Sequence, residues 1–156
     1  MPKTFHIPTY PAGITNTKIE QCFASFQSLL AQAEQKVVNR STASKINEKI
    51  DELNQQQADE KKYYSKLSKT QRETVNILAK EAKLTPRDYY RTLWTALGMP
   101  AFGLPLGTGI SLSLNNLAFM AIGLPFGFAI GLAIGTYMDK DAAAKGRLLD
   151  TEIKFK

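Results

Sequence analysis

The sequence predicts an all-α protein in two parts: an amphipathic or coiled-coil helical head, then a two-helix transmembrane hairpin. Three observations carry this prediction. Residues 92–138 form a run of forty-seven positions without one charged side chain. Inside it, A-F-G-L-P-L-G of 101–107 returns twenty residues later as A-I-G-L-P-F-G of 121–127. Ahead of it, Ile19, Cys22, Phe23, Phe26, Leu29, Leu30, Ala33 and Val37 recur at steps of three and four, the spacing of one apolar helix stripe. An α-helix needs ~20 mostly apolar residues to cross a ~30 Å hydrocarbon core. The run is therefore long enough for two crossings, with Asn115 and Asn116 left for the turn.

The chain-wide averages of 22% charged residues and +6 net charge mix two unlike parts. All twenty Lys and Arg and all fourteen Asp and Glu fall in 1–91 or 139–156. Residues 1–16 hold Pro2, Pro8, Pro11 and Gly13 and read as an extended tail, without the basic start and apolar centre of a secretory signal. Cys22 is the single cysteine, so no disulfide closes within the chain.

Residues 17–66 read as two amphipathic helices, paired as a helical hairpin or a coiled coil, the second carrying Ile46, Ile50 and Leu53 before the pattern fades at Gln55, Gln56 and Gln57. One short helix pair buries little apolar surface, which makes a stable core from these two alone doubtful. A third, basic juxtamembrane helix is expected over 68–91. It opens at Ser68 with Gln71 as a capping box and has Val75, Leu78, Ala79 and Ala82 on its apolar face. Thr85-Pro86-Arg87-Asp88 reads as a further helix start, Thr as N-cap and Pro at the first position.

Residues 61–91 carry nine Lys or Arg against Glu73, Glu81 and Asp88. A two-span hairpin places both flanks on one side, and basic flanks favour the cytoplasmic side. Lys80, Lys83, Arg87, Arg91 and Lys140 are then expected to meet anionic lipid head groups. Tyr89, Tyr90, Trp94 and Tyr137 are expected at the same membrane interface. The polar tail 139–156 and the N-terminus both fall in the cytoplasm.

Within the spans, small and large residues alternate. Gly123, Gly127, Gly131 and Gly135 recur every four residues, with Ala121, Pro125, Ala129 and Ala133 between them; Ala101, Gly103, Pro105, Gly107 and Gly109 begin the same alternation in the first span. Alternation is also a strand pattern, but glycine is depleted in strands and two strands cannot close a barrel in hydrocarbon. On a helix, two residues turn ~200°, so the two small rows lie on nearly opposite faces. Gly103, Gly107, Gly123, Gly127, Gly131, Gly135, Ala129 and Ala133 are the expected helix-packing residues. One small face of each helix serves the hairpin, and the other is left for a second copy or for lipid. Pro100, Pro105 and Pro125 interrupt the spans, which leaves two geometries open: a kinked first span from about Leu93, or an interfacial helix broken at Gly98-Met99-Pro100 with a shorter crossing beyond it.

The Gly-Leu-Pro-Leu-Gly and Gly-Leu-Pro-Phe-Gly repeats, the Asn turn, the run G-F-A-I-G-L-A-I-G-T and the exit M-D-K-D-A-A-A-K-G-R together resemble small bacterial glycine-zipper membrane proteins, over about residues 97–149. The resemblance implies a glycine-zipper membrane hairpin in a bacterial inner membrane and self-association.

No catalytic constellation is visible, and neither an enzyme activity, a cofactor nor a metal site is expected. His6 reads as a solvated tail residue and Cys22 as a small core residue. The Gly103–Gly107 segment lacks the Lys of a phosphate loop. Three functions remain: a self-associating membrane scaffold whose head recruits a protein partner; an oligomeric pore or membrane-permeabilising effector of toxin, lysis or defence type; and a membrane-tethered nucleic-acid binder. For the last, the basic stretch reads more simply as topological signal and lipid attraction, so nucleic acid is the least favoured partner.

Overall fold

A computed structural model describes residues 4–11, 16–36, 38–55 and 59–151. Val37, Gln56, Gln57, Pro2, Gly13 and the terminal residues 152–156 lie outside the described residues. The protein is mostly helical, as the sequence predicts, and its contacts divide it into two compact units, Met1–Arg87 with Leu149–Lys156, and Asp88–Leu148.

The first unit is built on three helices, α1 (Thr17–Glu34), α2 (Arg40–Asn54) and α3 (Glu60–Ile77). Asn16 caps α1, its side chain accepting the Lys18 amide. The expected stripes face inward: Phe26, Leu29, Ile46, Ile50 and Leu53 are fully buried. The doubt about a two-helix core is resolved by α3, which adds Tyr63, Leu67 and Val75 to it. This helix starts at Glu60, not at Ser68, which lies in its middle. Burial of Tyr63 and Leu67, four residues apart, holds the earlier turns in place and overrides the capping-box pattern.

The helix expected over 68–91, with its second start at Thr85, is interrupted instead by a turn and a strand. α3 ends in a π turn, Leu78–Ala82, and Lys83 takes a left-handed conformation at φ 56°. Thr85 and Pro86 form strand β1, which pairs with β2 (Leu148–Leu149), instead of starting a helix. Their burial and the hydrogen bond from the Arg87 amide to the Thr151 carbonyl (3.2 Å) outweigh the local start signal. Asp88, left-handed at φ 56°, precedes the next helix.

Both predicted tails are also docked. Phe5 and Pro8 are buried against the first unit, while His6 is exposed, as expected, and pairs with Asp51 at 2.8 Å. At the other end, α6 (Gly123–Ala144) continues beyond residue 139, and Leu149 and Thr151 are buried in the first unit. Cys22 donates to Gln71, whose amide donates to Ser25, a short polar relay at the edge of the core.

Candidate functional site

The second unit is an antiparallel helical pair. Its first arm runs from α4 (Tyr89–Gly98) through a π turn, Met99–Gly103, into α5 (Leu104–Ser113), and its second arm from a 3-10 turn, Leu117–Ile122, into α6. Of the two geometries left open by the prolines, the unbroken first arm is observed. Gly98 and Met99 keep right-handed helical torsions (φ −63° and −58°), and there is no break at Gly98-Met99-Pro100. The π turn accommodates Pro100: the Leu104 amide reaches back five residues to the Met99 carbonyl. Pro105 and Pro125 lie just after the π turn and the 3-10 turn, in the opening turns of α5 and α6.

The arms meet at the expected turn. Asn115 is left-handed at φ 50°, a conformation Asn tolerates, and Asn116 donates its amide to the Ser111 carbonyl at 3.0 Å. The Asn116 side chain then caps the 3-10 turn by accepting the Ala118 amide at 3.0 Å.

Glycine makes the seam. A Cβ on Gly123 would overlap the backbone of Gly103 and Gly107; one on Gly127 would overlap Gly103 and Gly98; one on Gly131, Trp94; and one on Gly135, Tyr90 and Arg91. Gly103, Gly107, Gly123, Gly127, Gly131 and Gly135 are all buried, while Ala129 and Ala133 are exposed on the outer face of α6. The whole second row shares that exposure: Ala121, Pro125 and, in the first arm, Ala101, Pro105, Gly109 and Ser113.

The partner row of the first arm is Trp94, Gly98, Gly103, Gly107 and Ser111, whose steps are four, five, four and four. The step of five coincides with the π turn, which holds one extra residue and keeps Gly98 on the face of Gly103. Gly98 is buried and belongs to the seam, although the four-residue rhythm alone misses it. Asp139 was missed for a similar reason. It stands four residues after Gly135, on the same face of α6, and its carboxylate accepts the amides of Tyr90 (3.1 Å) and Arg91 (2.9 Å) in the first turn of α4. A carboxylate at a helix N-terminus satisfies amides that lack intrahelical partners, and this one joins the two arms.

Tyr89, Tyr90 and Trp94 are half-buried near this end, and the Tyr89 and Tyr90 rings meet edge to face at 5.2 Å. Because Gly135 packs on Tyr90 and Arg91, Tyr137, 74% exposed, lies at the same end of the pair. All four expected interface aromatics therefore lie toward one end of the pair. Of the five expected lipid-contacting bases, Arg91 and Lys140 are exposed in the second unit, whereas Lys80, Lys83 and Arg87 are exposed in the first, Arg87 bridging to Asp150 at 2.8 Å. Of the polar groups of the first arm, Ser111 faces inward, at 2% exposed, while Thr108 donates to the Leu104 carbonyl and the exposed Ser113 to the Gly109 carbonyl of the same helix.

The arrangement offers close backbone packing on one face and an apolar exterior on the other. Comparison with family models, curated proteins and solved structures finds no match.

Proposed function

We propose that the second unit is a transmembrane helical hairpin of glycine-zipper type, and that the protein is a self-associating scaffold of a bacterial inner membrane presenting its three-helix head, with both termini, in the cytoplasm. The observation that carries this reading is the second arm. The most apolar 18-residue window of Leu117–Ala144 has a mean hydropathy of 2.2, yet only 17% of that window is buried. A core helix of a soluble protein hides such a stretch; here Leu117 (77%), Phe126 (56%) and Phe128 (41%) stand exposed, an apolar surface that calls for lipid or protein around it. No helix of the first arm reaches that length, because the π turn divides it into pieces of 10, 5 and 10 residues. Taken together they extend ~37 Å at 1.5 Å per residue, enough to cross a ~30 Å core.

The charge pattern supports a single orientation, since no charged side chain lies between Thr92 and Met138 and none has to cross. Self-association draws on the outer small row of Ala121, Pro125, Ala129 and Ala133, left exposed after the glycines have closed the hairpin. A conduit is less well supported, because Thr108 and Ser113 are hydrogen-bonded to their own helix and Ser111 is buried. The same holds for nucleic-acid binding: Tyr63, in the basic stretch, is 1% exposed and closed to stacking.

The test separates the two small rows. The full chain should resist alkaline carbonate extraction from membranes and run in mild detergent at the mass of several copies. Ala129→Leu with Ala133→Leu should reduce that mass to one chain while leaving membrane residence intact. Carbonate-extractable protein would defeat the membrane reading, and an unchanged mass would defeat assembly through the outer row.

A further inference from the structure

Residues 4–11 lie across α1 and α2 as an extended segment held mainly through its backbone. Asn47 accepts the His6 amide (2.8 Å) and donates to the Thr4 carbonyl (3.1 Å). Asn54 repeats the pattern, accepting the Thr9 amide (2.7 Å) and donating to the Ile7 carbonyl (3.1 Å). The two asparagines are seven residues apart on α2, ~10.5 Å of helix, and His6 and Thr9 are three residues apart, ~10 Å of extended chain. The helix pitch and the strand pitch therefore coincide, and each side-chain amide reads one donor and one acceptor of the backbone.

Side chains add a frame to this backbone reading. Phe5 (3% exposed) and Pro8 point into the unit, and the Phe5 amide donates to Glu34. Tyr10 meets Phe23 edge to face at 5.1 Å, while the Tyr63 hydroxyl donates to the Thr9 carbonyl at 2.9 Å. Burial pushes the Tyr63 phenol up to about 12. Ile7, at 57% exposed, faces outward. The groove thus reads Phe-x-x-Pro-x-Tyr.

We propose that this groove is a binding site for extended Phe-x-x-Pro-x-Tyr segments, and that in the assembled protein it takes the 4–11 segment of a neighbouring copy in exchange for its own. This inference rests on the self-association proposed above. The segment shown to fit is carried by every copy, and each contact in the groove is the same whichever chain supplies it, the condition under which exchange between protomers costs little. Five peptide steps separate Pro11 from Asn16, a reach of up to ~18 Å. Self-association raises the effective concentration of each segment at the grooves of other copies.

The test uses the full chain in mild detergent on a Cys22→Ala background. His6 and Asp51, 2.8 Å apart, are replaced by cysteine together in one chain, or singly in two differently tagged, co-expressed chains, and treated with a short bismaleimide. The double variant should cross-link within one chain, and the co-expressed single variants should yield a mixed dimer. Adding Asn47→Ala and Asn54→Ala should lower mixed-dimer yield at least about fivefold, as expected for loss of four hydrogen bonds. A sample of several copies by mass, with an intramolecular product but no mixed dimer, overturns exchange and leaves self-association standing. A single-copy mass overturns both, and a double variant that does not cross-link refutes the groove itself.

Discussion

The two units of this protein solve the packing problem in opposite ways. In the first, large side chains fill the interior: Phe26, Leu29, Ile46, Ile50 and Leu67 are fully buried. In the second, the interior is nearly free of side chains. Gly123, Gly127, Gly131 and Gly135 lie in the seam, while Leu106, Leu112, Leu124 and Phe126 stand outside. The difference is the one that the proposed membrane placement of the second unit requires. Water drives large apolar groups inward at roughly 25 cal/mol per Å². Lipid provides no such drive, and helices associate there through close backbone contact that only small residues permit.

This contrast can be broken from either side. The largest effect is expected from Phe26→Ala, which deletes a fully buried ring and should cost the first unit about 3–5 kcal/mol. Thermal melting of the full chain followed by circular dichroism checks it. Gly127→Ala adds one methyl group where a Cβ would strike the backbone of Gly103, and should cost the helical pair about 1–3 kcal/mol. Gly109→Ala makes the same chemical change where a Cβ meets nothing within 4 Å, and should instead stabilise its helix by about 0.5–1 kcal/mol. Unfolding of both variants in mixed detergent, compared with the native chain, decides the pair; equal effects would show that the seam is not what glycine serves.

Asp139→Ala leaves the Tyr90 and Arg91 amides without their acceptor and should cost about 0.5–2 kcal/mol, the scale of a lost helix cap. Faster amide hydrogen exchange confined to the first turn of α4 would register it. The smallest effect is that of acid. Hydrogen bonds from Lys49 and then Lys66 hold the Glu52 carboxyl below its ordinary range, as Lys45 and then Thr42 do for Glu81. A lowered carboxyl stabilises the fold fully above its unfolded value of 4.5 and loses that contribution as pH falls through the lowered one. Both groups belong to the first unit. In the second unit, hydrogen bonding to Lys145 likewise holds the Asp141 carboxyl below its ordinary range. Acid titration should therefore soften both units slightly, and charge-neutralising Glu81→Gln should flatten only the first unit's share of that response.

Much of this was legible in the residues because it is periodic. The stripe on α1 and the glycine row of α6 repeat at helical spacing and lie where spacing placed them, and the turn at Asn115 and Asn116 falls where the length of the uncharged run left it. Features that depend on distant partners were not legible. Ser68 and Gln71 form a good capping box and nevertheless lie inside α3, because Tyr63 and Leu67 bury the turns before them. Thr85-Pro86 has the chemistry of a helix start and becomes a strand, because residues 148–151 return beside it. Asn47 and Asn54 look like ordinary polar helix positions until residues 4–11 lie across them.

The sequence by itself determined that the chain is helical, that 92–138 is uncharged, and that each arm of that run carries two small rows on opposite faces, since these follow from composition and a 3.6-residue period. Tertiary structure alone decided which row closes the pair. Glycine, having no Cβ, lets backbones touch at a distance that Ala129 and Ala133 would forbid. The π turn, with its step of five from Gly98 to Gly103, keeps the first arm in register with that choice.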